Sequence, residues 1–293
     1  MEIIRTVSWM KQAARQARAE NHVIGMVPTM GALHEGHLSL VRGARSECSK
    51  VFASIFVNPM QFALNEDLSK YPRTLEADVA KLGPAAVDIL FAPEAKEIYP
   101  AGFTTCVTVE GLSDRLEGRS RPGHFRGVAT VVLKLFEIAR PHFAFFGRKD
   151  AQQARILQRM LQDLNSEVEL VLCPIVREPD GLALSSRNAY LHPEERRAAA
   201  VLHRSLDAVR AEVLAGTRDA LSLQNTARRI LAEEKLARVD YVEVAGVDTF
   251  EPVARIGAQP AYVLLAVFVG RTRLIDNLLI EPVPDSGGLI VSL

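Results

Sequence analysis

The chain has 293 residues, of which 48% are hydrophobic, enough to form the cores of two globular domains. Lysine and arginine together number 35, as do aspartate and glutamate, so the formal net charge is zero and no overall field favours nucleic acid or a membrane surface as a partner. Because the longest apolar stretch, Ala261–Val269, is too short to cross a membrane and Arg5 interrupts any signal-peptide core, we expect a small-molecule substrate and no membrane partner.

Short apolar runs alternate with segments of helical period from residue 23 to about residue 176. This alternation is typical of a parallel sheet with helices on both faces, in which ligands bind beyond the carboxyl ends of the strands. We therefore predict an α/β fold with a Rossmann-like, doubly wound parallel sheet. After a first surface helix at 11–18, the predicted strands are 23–27, 51–57, 87–91, 142–146 and 168–175, and the predicted helices are 38–48, 74–82, 126–139 and 150–164.

The pattern changes after Asn188. Two amphipathic helices are followed by apolar or alternating strands, as in a small antiparallel sheet. We therefore divide the chain into a Rossmann-like domain at 1–175 and a smaller C-terminal α+β domain at 176–293. The predicted helices of the second domain are 193–214 and 218–234, and its predicted strands are 239–244, 261–269 and 272–280.

Two further segments carry weaker signals. Residues 105–109 could add a strand within a longer insertion, and residues 282–288 are expected to form a loose tail. The three cysteines, Cys48, Cys106 and Cys173, are odd in number and widely spaced, which argues against a disulfide framework and against a cysteine-based zinc site. We therefore expect a protein of the reducing cytoplasm.

The most distinctive stretch is PTMGALHEGHL at 28–38, where two histidines lie between a predicted strand and a predicted helix. Gly31 and Gly36 have the spacing of a phosphate-binding P-loop, but a His-Leu pair replaces its Lys-Ser/Thr, so that motif is excluded. The histidines could contribute to a metal site, although Glu35 is the only carboxylate nearby, or they could simply cap the helix. They could also form an anion site, since a helix N-terminus offers unpaired N–H groups and imidazoles add donors. Such a site would suit nucleotide phosphates.

The HEGH sequence resembles the HxGH signature of nucleotidyltransferases and class I aminoacyl-tRNA synthetases. With its surroundings, the sequence is similar to the family of pantoate–β-alanine ligases over essentially the whole chain. The segments that carry this resemblance are PTMGALHEGHLSLV at 28–41, FVNPMQF at 56–62, YPRT at 71–74, RPGHFRGVATVV at 121–132, FGRKDAQQ at 146–153, REPDGLALSSRN at 177–188 and DYVEV at 240–244.

The resemblance implies an ATP-dependent, AMP-forming carbon–nitrogen ligase that condenses (R)-pantoate with β-alanine to form pantothenate, a coenzyme A precursor. The pantoate carboxylate would attack the α-phosphorus of ATP and release pyrophosphate, and the β-alanine amine would then displace AMP from the pantoyl-adenylate. The resemblance also implies Mg²⁺ carried by ATP with no dedicated metal site in the protein, and a homodimer. The balanced charge, by contrast, is the reason to expect no nucleic-acid partner. The alternatives are another HxGH nucleotidyltransferase, which would transfer a nucleotidyl group to a phosphorylated small molecule, and a nucleotide-binding sensor without catalytic activity.

The resemblance implies that His34, His37 and Lys149 are catalytic residues that bind and neutralise the phosphates, with His37 as the candidate proton donor. The segment LSSR at 184–187 resembles a mobile phosphate loop in which Arg187 could make two parallel N–H bonds to phosphate oxygens. The first domain would bind nucleotide and pantoate, and the second would close over the ATP site. The residues implied to contact ATP are Met30, Gly31, Ala32, Leu33, His34, Glu35, Gly36, His37, Gly147, Arg148, Lys149, Asp150, Val176, Leu184, Ser185, Ser186 and Arg187.

For pantoate, the resemblance implicates Gln61 and Gln153, whose amides can both donate and accept hydrogen bonds. Asn58 and residues 121–126 are further candidates for contacts with pantoate or β-alanine. The sequence also departs from the family pattern: Ala151 stands where an aromatic residue is common, and Arg148 where glutamine or glutamate is frequent. These departures bear on the local shape of the helix start.

Overall fold

A computed structural model of the chain describes residues 1–62, 68, 71–283 and 288–293. They form two compact units, one of residues 1–148 and 152–174 and the other of residues 149–151 and 175–293. No helix within these described ranges combines the length and the apolar character needed to cross a membrane.

The first unit contains strands β1 to β6 and helices α1 to α7. The strands are β1 Glu2–Ile4, β2 Ile24–Thr29, β3 Lys50–Ile55, β4 Ile89–Phe91, β5 Phe143–Gly147 and β6 Glu169–Cys173. The helices are α1 Val7–Ala19, α2 Glu35–Glu47, α3 Leu75–Leu82, α4 Ala95–Ile98, α5 Glu117–Ser120, α6 His124–Ala139 and α7 Ala151–Asp163, whose first residue groups with the second unit.

The strands of the first unit form a parallel sheet in the order β1-β4-β3-β2-β5-β6. From β2 the chain proceeds outward through β3 and β4, and it then returns to add β5 on the other side of β2. The strand order therefore reverses between β2 and β5, where open α/β sheets bind ligands beyond the carboxyl ends of their strands. This confirms the predicted doubly wound, Rossmann-like sheet.

Close packing of α2 on the sheet depends on two glycines. A Cβ atom added to Gly25 of β2 would lie 2.7 Å from Sγ of Cys48, and one added to Gly43 of α2 would lie 3.3 Å from Sγ of Cys173. Both cysteines are buried in the core cluster that also contains Phe145 of β5. These contacts fix α2 against the sheet.

The second unit is an α+β structure with an antiparallel sheet in the order β10-β9-β8-β7. Its core combines helix residues such as Leu206 and Leu223 with strand residues such as Val244 and Leu265. This confirms the predicted smaller α+β domain. Its elements are α8 Pro193–Ala198, α9 Val201–Leu214, α10 Ala220–Ala232, β7 Ala237–Gly246, β8 Ala261–Val269, β9 Thr272–Pro282 and β10 Leu289–Ser292.

Several predicted elements differ from those observed. Residues 105–109 form no strand; instead the amide of Val107 donates to Oγ1 of Thr130 on α6 at 2.9 Å. The helix predicted at 193–214 is interrupted at residues 199–200, where neither proline nor glycine marks the break. Strands β1 and β10 were not predicted, because three or four residues carry too little periodicity. Residues 284–287 of the predicted loose tail lie outside the described residues.

Candidate active site

The two histidines of the HEGH motif lie where β2 leads into α2, beside the reversal of strand order. His34 is the N-cap of α2, with extended backbone angles of φ −132° and ψ 176°, and the helix begins at Glu35. We call residues 30–37 the histidine turn. The helix starts three residues earlier than predicted because His34 itself caps it.

The imidazoles of His34 and His37 form a reciprocal capping box. Nδ1 of His34 accepts from the amide of Gly36 at 3.2 Å, and Nδ1 of His37 accepts from the amide of His34 at 3.3 Å. The ring centroids are 4.1 Å apart. Because a backbone amide can only donate, Nδ1 carries no proton in either neutral ring, and Nε2 carries the hydrogen. Both histidines therefore cap the helix through Nδ1, and in the neutral rings the proton lies on Nε2.

The backbone amides of the histidine turn already have acceptors within the protein. The amide of Gly31 donates to Oγ1 of Thr29 at 3.2 Å, and those of Ala32 and Leu33 donate to the carboxylate of Asp78 at 2.9 and 2.8 Å. These three amides precede the helix, which begins at Glu35, and they are not available to an anion.

Helix α3 supplies contacts to the histidine turn that the sequence analysis missed. Asp78 is buried, and Oγ1 of Thr74 donates to its Oδ2 at 3.1 Å. One turn further along the helix, Lys81 donates through Nζ to the carbonyl of Leu33. A signal for Asp78 was present in the sequence, since an ionisable residue falls on the same helix face as the apolar residues Leu75 and Leu82.

Gln61 is oriented by a buried hydrogen-bond network centred on Asn58. Nδ2 of Asn58 donates to the carbonyl of Gly127 at 3.0 Å, and its Oδ1 accepts from the amide of Met60 at 3.3 Å, so two backbone groups fix the orientation of the Asn58 amide. Nδ2 of Asn58 also donates to Oε1 of Gln61 at 3.0 Å. Gln61 is left to donate through Nε2, which lies 3.1 Å from Sδ of Met30, a weak acceptor.

Tyr99 and His124 extend this network. The hydroxyl of Tyr99 donates to Oδ1 of Asn58 at 2.8 Å, and burial raises the pKa of Tyr99 well above its usual range, so the hydroxyl keeps its proton. Nδ1 of His124 lies 2.9 Å from the carbonyl of Gln61. The sequence analysis did not identify Tyr99, because it lies 41 residues from its partner Asn58.

The two glutamines of the DAQQ segment have different surroundings. Gln152 is buried; its Nε2 donates to the carbonyls of Leu112 and Arg115, and its Oε1 accepts from the amide of Glu117 at 3.1 Å. Gln153 is only partly buried. Gln152 therefore fixes the 112–117 segment, and Gln153 is the glutamine of the pair that is suited to contact a substrate.

Lys149 lies in a short 3₁₀ helix, Arg148–Asp150, immediately after Gly147 ends β5. Within the second unit, Nδ2 of Asn277 on β9 donates to the carbonyl of Lys149 at 2.9 Å. Asn277 is buried, and neither its sequence position nor its neighbours indicated this contact. The backbone of Lys149 is thereby fastened to β9.

The segment that contains Val176, Leu184, Ser185, Ser186 and Arg187 folds back on itself in the second unit. The amide of Leu184 donates to the carbonyl of Val176 at 2.9 Å. Oγ of Ser185 accepts from the amide of Arg187 at 3.3 Å and caps a 3₁₀ helix, Ser186–Tyr190. This turn places Ser185, Ser186 and Arg187 in consecutive positions of one short loop.

A buried ion pair anchors the start of that segment to the same strand. Arg177 donates to both carboxylate oxygens of Asp276 on β9, at 2.7 and 3.0 Å, and the Asp276 side chain is only 1% exposed. Nη1 of Arg177 also donates to the carbonyl of Gly181 at 3.0 Å. The adjacent residues Asp276 and Asn277 therefore hold the segment at 176–187 and the backbone of Lys149, respectively.

In the first unit, Nε2 of Gln61 contacts Sδ of Met30, and the rings of His34 and His37 contact each other. In the second unit, β9 contacts the backbone of Lys149 and, through Asp276 and Arg177, the segment that leads to Arg187. Across the described part of the chain, no group of three or more histidine, cysteine, aspartate or glutamate side chains is arranged to hold a metal ion.

Comparison with known proteins gives one consistent family. The sequence model described as Pantoate-beta-alanine ligase matches residues 2–279. Pantothenate synthetase of Koribacter versatilis is 50% identical over 288 residues, covering 98% of this chain and 99% of the relative. That of Acidobacterium capsulatum is 57% identical over 261 residues, covering 89% and 87%, respectively.

Solved structures give the same result. The crystal structure of pantothenate synthetase from Thermus thermophilus is similar with a TM-score of 0.89 and 44% identity, covering 94% of this chain and 98% of that one. A pantoate–β-alanine ligase from Francisella tularensis, crystallised with β-γ ATP and β-alanine, is similar with a TM-score of 0.78 and 34% identity, covering 94% and 97%.

Proposed function

The chain belongs to the pantoate–β-alanine ligase family, and from this membership we propose how its own residues carry out the reaction. The reaction condenses (R)-pantoate with β-alanine through a pantoyl-adenylate and releases pyrophosphate and AMP. The enzyme is an ATP-dependent, AMP-forming carbon–nitrogen ligase of pantothenate biosynthesis. The observation that carries the assignment is the match to the family over residues 2–279.

The first half-reaction needs positioning and charge stabilisation more than a base. The pantoate carboxylate is already ionised at neutral pH, so it can attack the α-phosphorus without losing a proton. The developing negative charge lies on phosphate oxygens, where fixed hydrogen-bond donors lower the barrier. In our proposal, the Nε2–H groups of His34 and His37 are these donors, and residues 30–37 line the ATP site.

The capping geometry bears on whether His37 donates a proton or only a hydrogen bond. With Nδ1 occupied as an acceptor of the His34 amide, the neutral ring has a single proton, at Nε2. Transfer of that proton would leave an imidazolate, an unfavourable product at neutral pH. We therefore assign His37 as a neutral hydrogen-bond donor to phosphate rather than as a general acid.

We assign the binding of pantoate to the side chains of Gln61 and Gln153. Because Oε1 of Gln61 accepts from Asn58, its Nε2 is available to donate to a carboxylate or hydroxyl oxygen of pantoate in place of Sδ of Met30. Asn58 and Tyr99 act through Gln61 as positioning residues. Gln153, beside the buried Gln152, supplies the second amide.

Residues of the second unit are assigned to ATP. Lys149 would neutralise charge on the departing pyrophosphate, with Gly147, Arg148 and Asp150 beside it in sequence. Ser185, Ser186 and Arg187 would bind phosphate oxygens, for which a guanidinium provides two parallel donors. Val176 and Leu184 would contact the nucleotide, and the second unit would close over ATP.

Three further properties belong to the same proposal. Mg²⁺ would arrive on the β- and γ-phosphates of ATP, since this ion usually keeps several waters and few protein ligands. The enzyme would act as a homodimer in the cytoplasm, where its free cysteines, Cys48, Cys106 and Cys173, would stay reduced. Chelation with EDTA tests the first point, and light scattering after gel filtration tests the oligomeric state.

Pantoate-dependent exchange of pyrophosphate into ATP tests the proposed function. We expect exchange with pantoate in the absence of β-alanine, and conversion to pantothenate and AMP when β-alanine is added. Pyrophosphate exchange at the same rate with and without pantoate would contradict the proposal. So would a nucleotide-linked product formed from a phosphorylated acceptor.

A further inference from the structure

Asp78 is a buried carboxylate whose two oxygens hold consecutive amides of the histidine turn. Oδ2 accepts from the amide of Ala32 at 2.9 Å, and Oδ1 accepts from that of Leu33 at 2.8 Å. Its side chain comes from α3, 45 residues further along the chain. The bond is therefore a tertiary contact across the first unit.

The backbone that Asp78 holds has an uncommon conformation. Gly31 has φ +84° and Ala32 has φ +51°, and a left-handed alanine is unfavourable unless the surroundings impose it. A Cβ atom at Gly31 would lie 3.1 Å from Oδ2 of Asp78, so the carboxylate also packs closely on the turn. Two charge-assisted bonds to successive amides are a strong restraint on such a turn.

The conformation of the turn determines where the two imidazoles lie. Leu33, which Asp78 holds, is followed directly by His34, and the amide of His34 is the donor to Nδ1 of His37. Nδ1 of His34 in turn accepts from Gly36. A rotation of the backbone at residues 32–33 would turn the His34 amide and so break the bond that fixes the second ring.

We infer that Asp78 is the positioning residue for His34 and His37: by fixing the turn before them, it keeps both rings in the Nε2–H form and orientation required for phosphate. It also occupies the amides of Ala32 and Leu33, so these two groups cannot bind an anion. This inference rests on the proposed function, in which those two histidines bind ATP phosphates.

Thr74, the N-cap residue of α3, and Lys81 of that helix make two further bonds to Asp78 and to the turn, respectively. Oγ1 of Thr74 donates to Oδ2 of Asp78 at 3.1 Å, and Nζ of Lys81 donates to the carbonyl of Leu33. Helix α3 therefore accepts hydrogen bonds from two backbone amides of the turn and donates one to a backbone carbonyl of the turn. If Asp78 only stabilised the fold, its replacement would not have to change the tautomer or orientation of the imidazoles. Spectra of the histidine rings can therefore distinguish a positioning role from a purely structural one.

The test compares Asp78→Asn with Asp88→Asn. In the first variant, an amide nitrogen replaces one acceptor oxygen and faces a backbone N–H. Asp88 is a matched control, because it also accepts a backbone amide, that of Val51, and pairs with Arg45, but it lies at the amino end of β3, away from the histidine turn. Long-range ¹H–¹⁵N spectra report the tautomer of each histidine, and pyrophosphate exchange reports the first half-reaction.

For the wild type we expect both His34 and His37 in the Nε2–H form. Asp78→Asn should shift the ring ¹⁵N signals of both histidines and lower kcat of pantoate-dependent exchange at least tenfold, with the KM for pantoate changed less than twofold. Asp88→Asn should leave those signals and that rate close to the wild type. If Asp78→Asn fails to fold, Thr74→Val, which keeps the carboxylate and removes one bond to it, should shift the same signals by less.

Unchanged His34 and His37 signals in Asp78→Asn, or in Thr74→Val where that variant must be used, would overturn the inference. So would shifts of equal size in Asp88→Asn. Failure of the proposed function is a separate result: the wild type would then show no pantoate-dependent exchange, or His34→Ala and His37→Ala would retain the wild-type rate. In either case the spectra would still show whether Asp78 positions the rings.

Discussion

At the scale of single residues, His37 combines two tasks that make different demands on its two nitrogens. Nδ1 closes the first turn of α2, and we assign Nε2 to phosphate. In our proposal, the helix cap therefore selects the tautomer that phosphate binding needs. This explains why the capping and anion-site interpretations of the motif are compatible.

The two half-reactions should depend differently on His37 and Lys149. If both stabilise charge as pyrophosphate leaves, His37→Ala and Lys149→Ala should each lower adenylate formation by about a hundredfold or more. With preformed pantoyl-adenylate and β-alanine, both variants should recover a larger fraction of the wild-type rate, because approximation of amine and acyl carbon supplies much of that step. Rapid-quench measurement of each half-reaction checks this.

His192→Ala is the matched control for these variants, since His192 is the N-cap residue of α8 in the second unit. It should keep both half-reactions near the wild-type rate. Equal losses in the two half-reactions for His37→Ala would mean that the residue supports both steps alike, contrary to the division of roles proposed.

Gln61 should act on pantoate as a hydrogen-bond donor. Gln61→Glu keeps an oxygen for Asn58 but places a second, negatively charged oxygen where Nε2 stood, so the KM for pantoate should rise about tenfold or more, the equivalent of losing a bond worth about 1.5–3 kcal/mol. The KM for ATP should change little. Steady-state kinetics with each substrate varied distinguish the two effects.

Gln162→Glu controls for added charge, because Gln162 is exposed on α7. It should leave both KM values unaltered. A Gln61→Glu enzyme with a normal requirement for pantoate would remove Gln61 from the pantoate site.

At the scale of elements, β9 organises the second unit through adjacent polar residues. Asp276 is paired with Arg177, and Asn277 holds the backbone of Lys149. Because both side chains are buried, they cannot exchange these partners for water without a large penalty. One strand thus restrains two segments that we assign to ATP.

Breaking the buried ion pair should destabilise the second unit strongly. Asp276→Ala leaves the Arg177 guanidinium buried without its counter-charge, which we expect to cost about 3–5 kcal/mol of unfolding free energy. Urea denaturation followed by circular dichroism measures the change. The exposed pair Arg159–Asp163 provides the comparison: Asp163→Ala should cost about 1 kcal/mol or less, and a similar loss in both variants would contradict the expectation.

The sequence predicted the elements with strong periodicity and the residues of local motifs. The sheet of the first unit followed from its buried runs, and His34, His37 and Gln61 lie in short segments with a recognisable pattern. Contacts between distant residues could not be predicted, because no local pattern indicates that Asn277 meets the backbone of Lys149, 128 residues away. Asp78 is intermediate, since its place on an apolar helix face was visible but its partners were not.

At the scale of the whole molecule, stability should depend on pH through His142. Its Nδ1 accepts from the amide of Ile24 at 2.9 Å, and burial, aided by the nearby Arg18, lowers the pKa of His142, with Glu167 opposing part of the shift. His142 therefore binds a proton less readily in the folded state than in the unfolded chain, where a histidine has a pKa of about 6.5. The contribution of neutral His142 to the free energy of unfolding should be fully present above that pH and should decline as the pH falls below it.

His142→Asn isolates this contribution, because an amide oxygen can accept from Ile24 but does not titrate. The unfolding free energy of the variant should fall less steeply than that of the wild type as the pH is lowered from 7.5 to about 5. Urea titrations at intervals across this range provide the comparison. Parallel curves would show that His142 does not contribute to the pH dependence.

The reversal of strand order between β2 and β5 has a consequence for how the chain acquires its structure. Strand β2 can pair early with β3, which follows it closely, but the contact between Ile24 and His142 beside β5 closes a loop of 118 residues. Such distant pairing is entropically costly and forms slowly. During synthesis, the histidine turn therefore emerges long before the strand that completes its surroundings. ATP bound at this edge could favour the native state only after β5 has joined the sheet, so the substrate would stabilise the finished enzyme and would not guide its early folding.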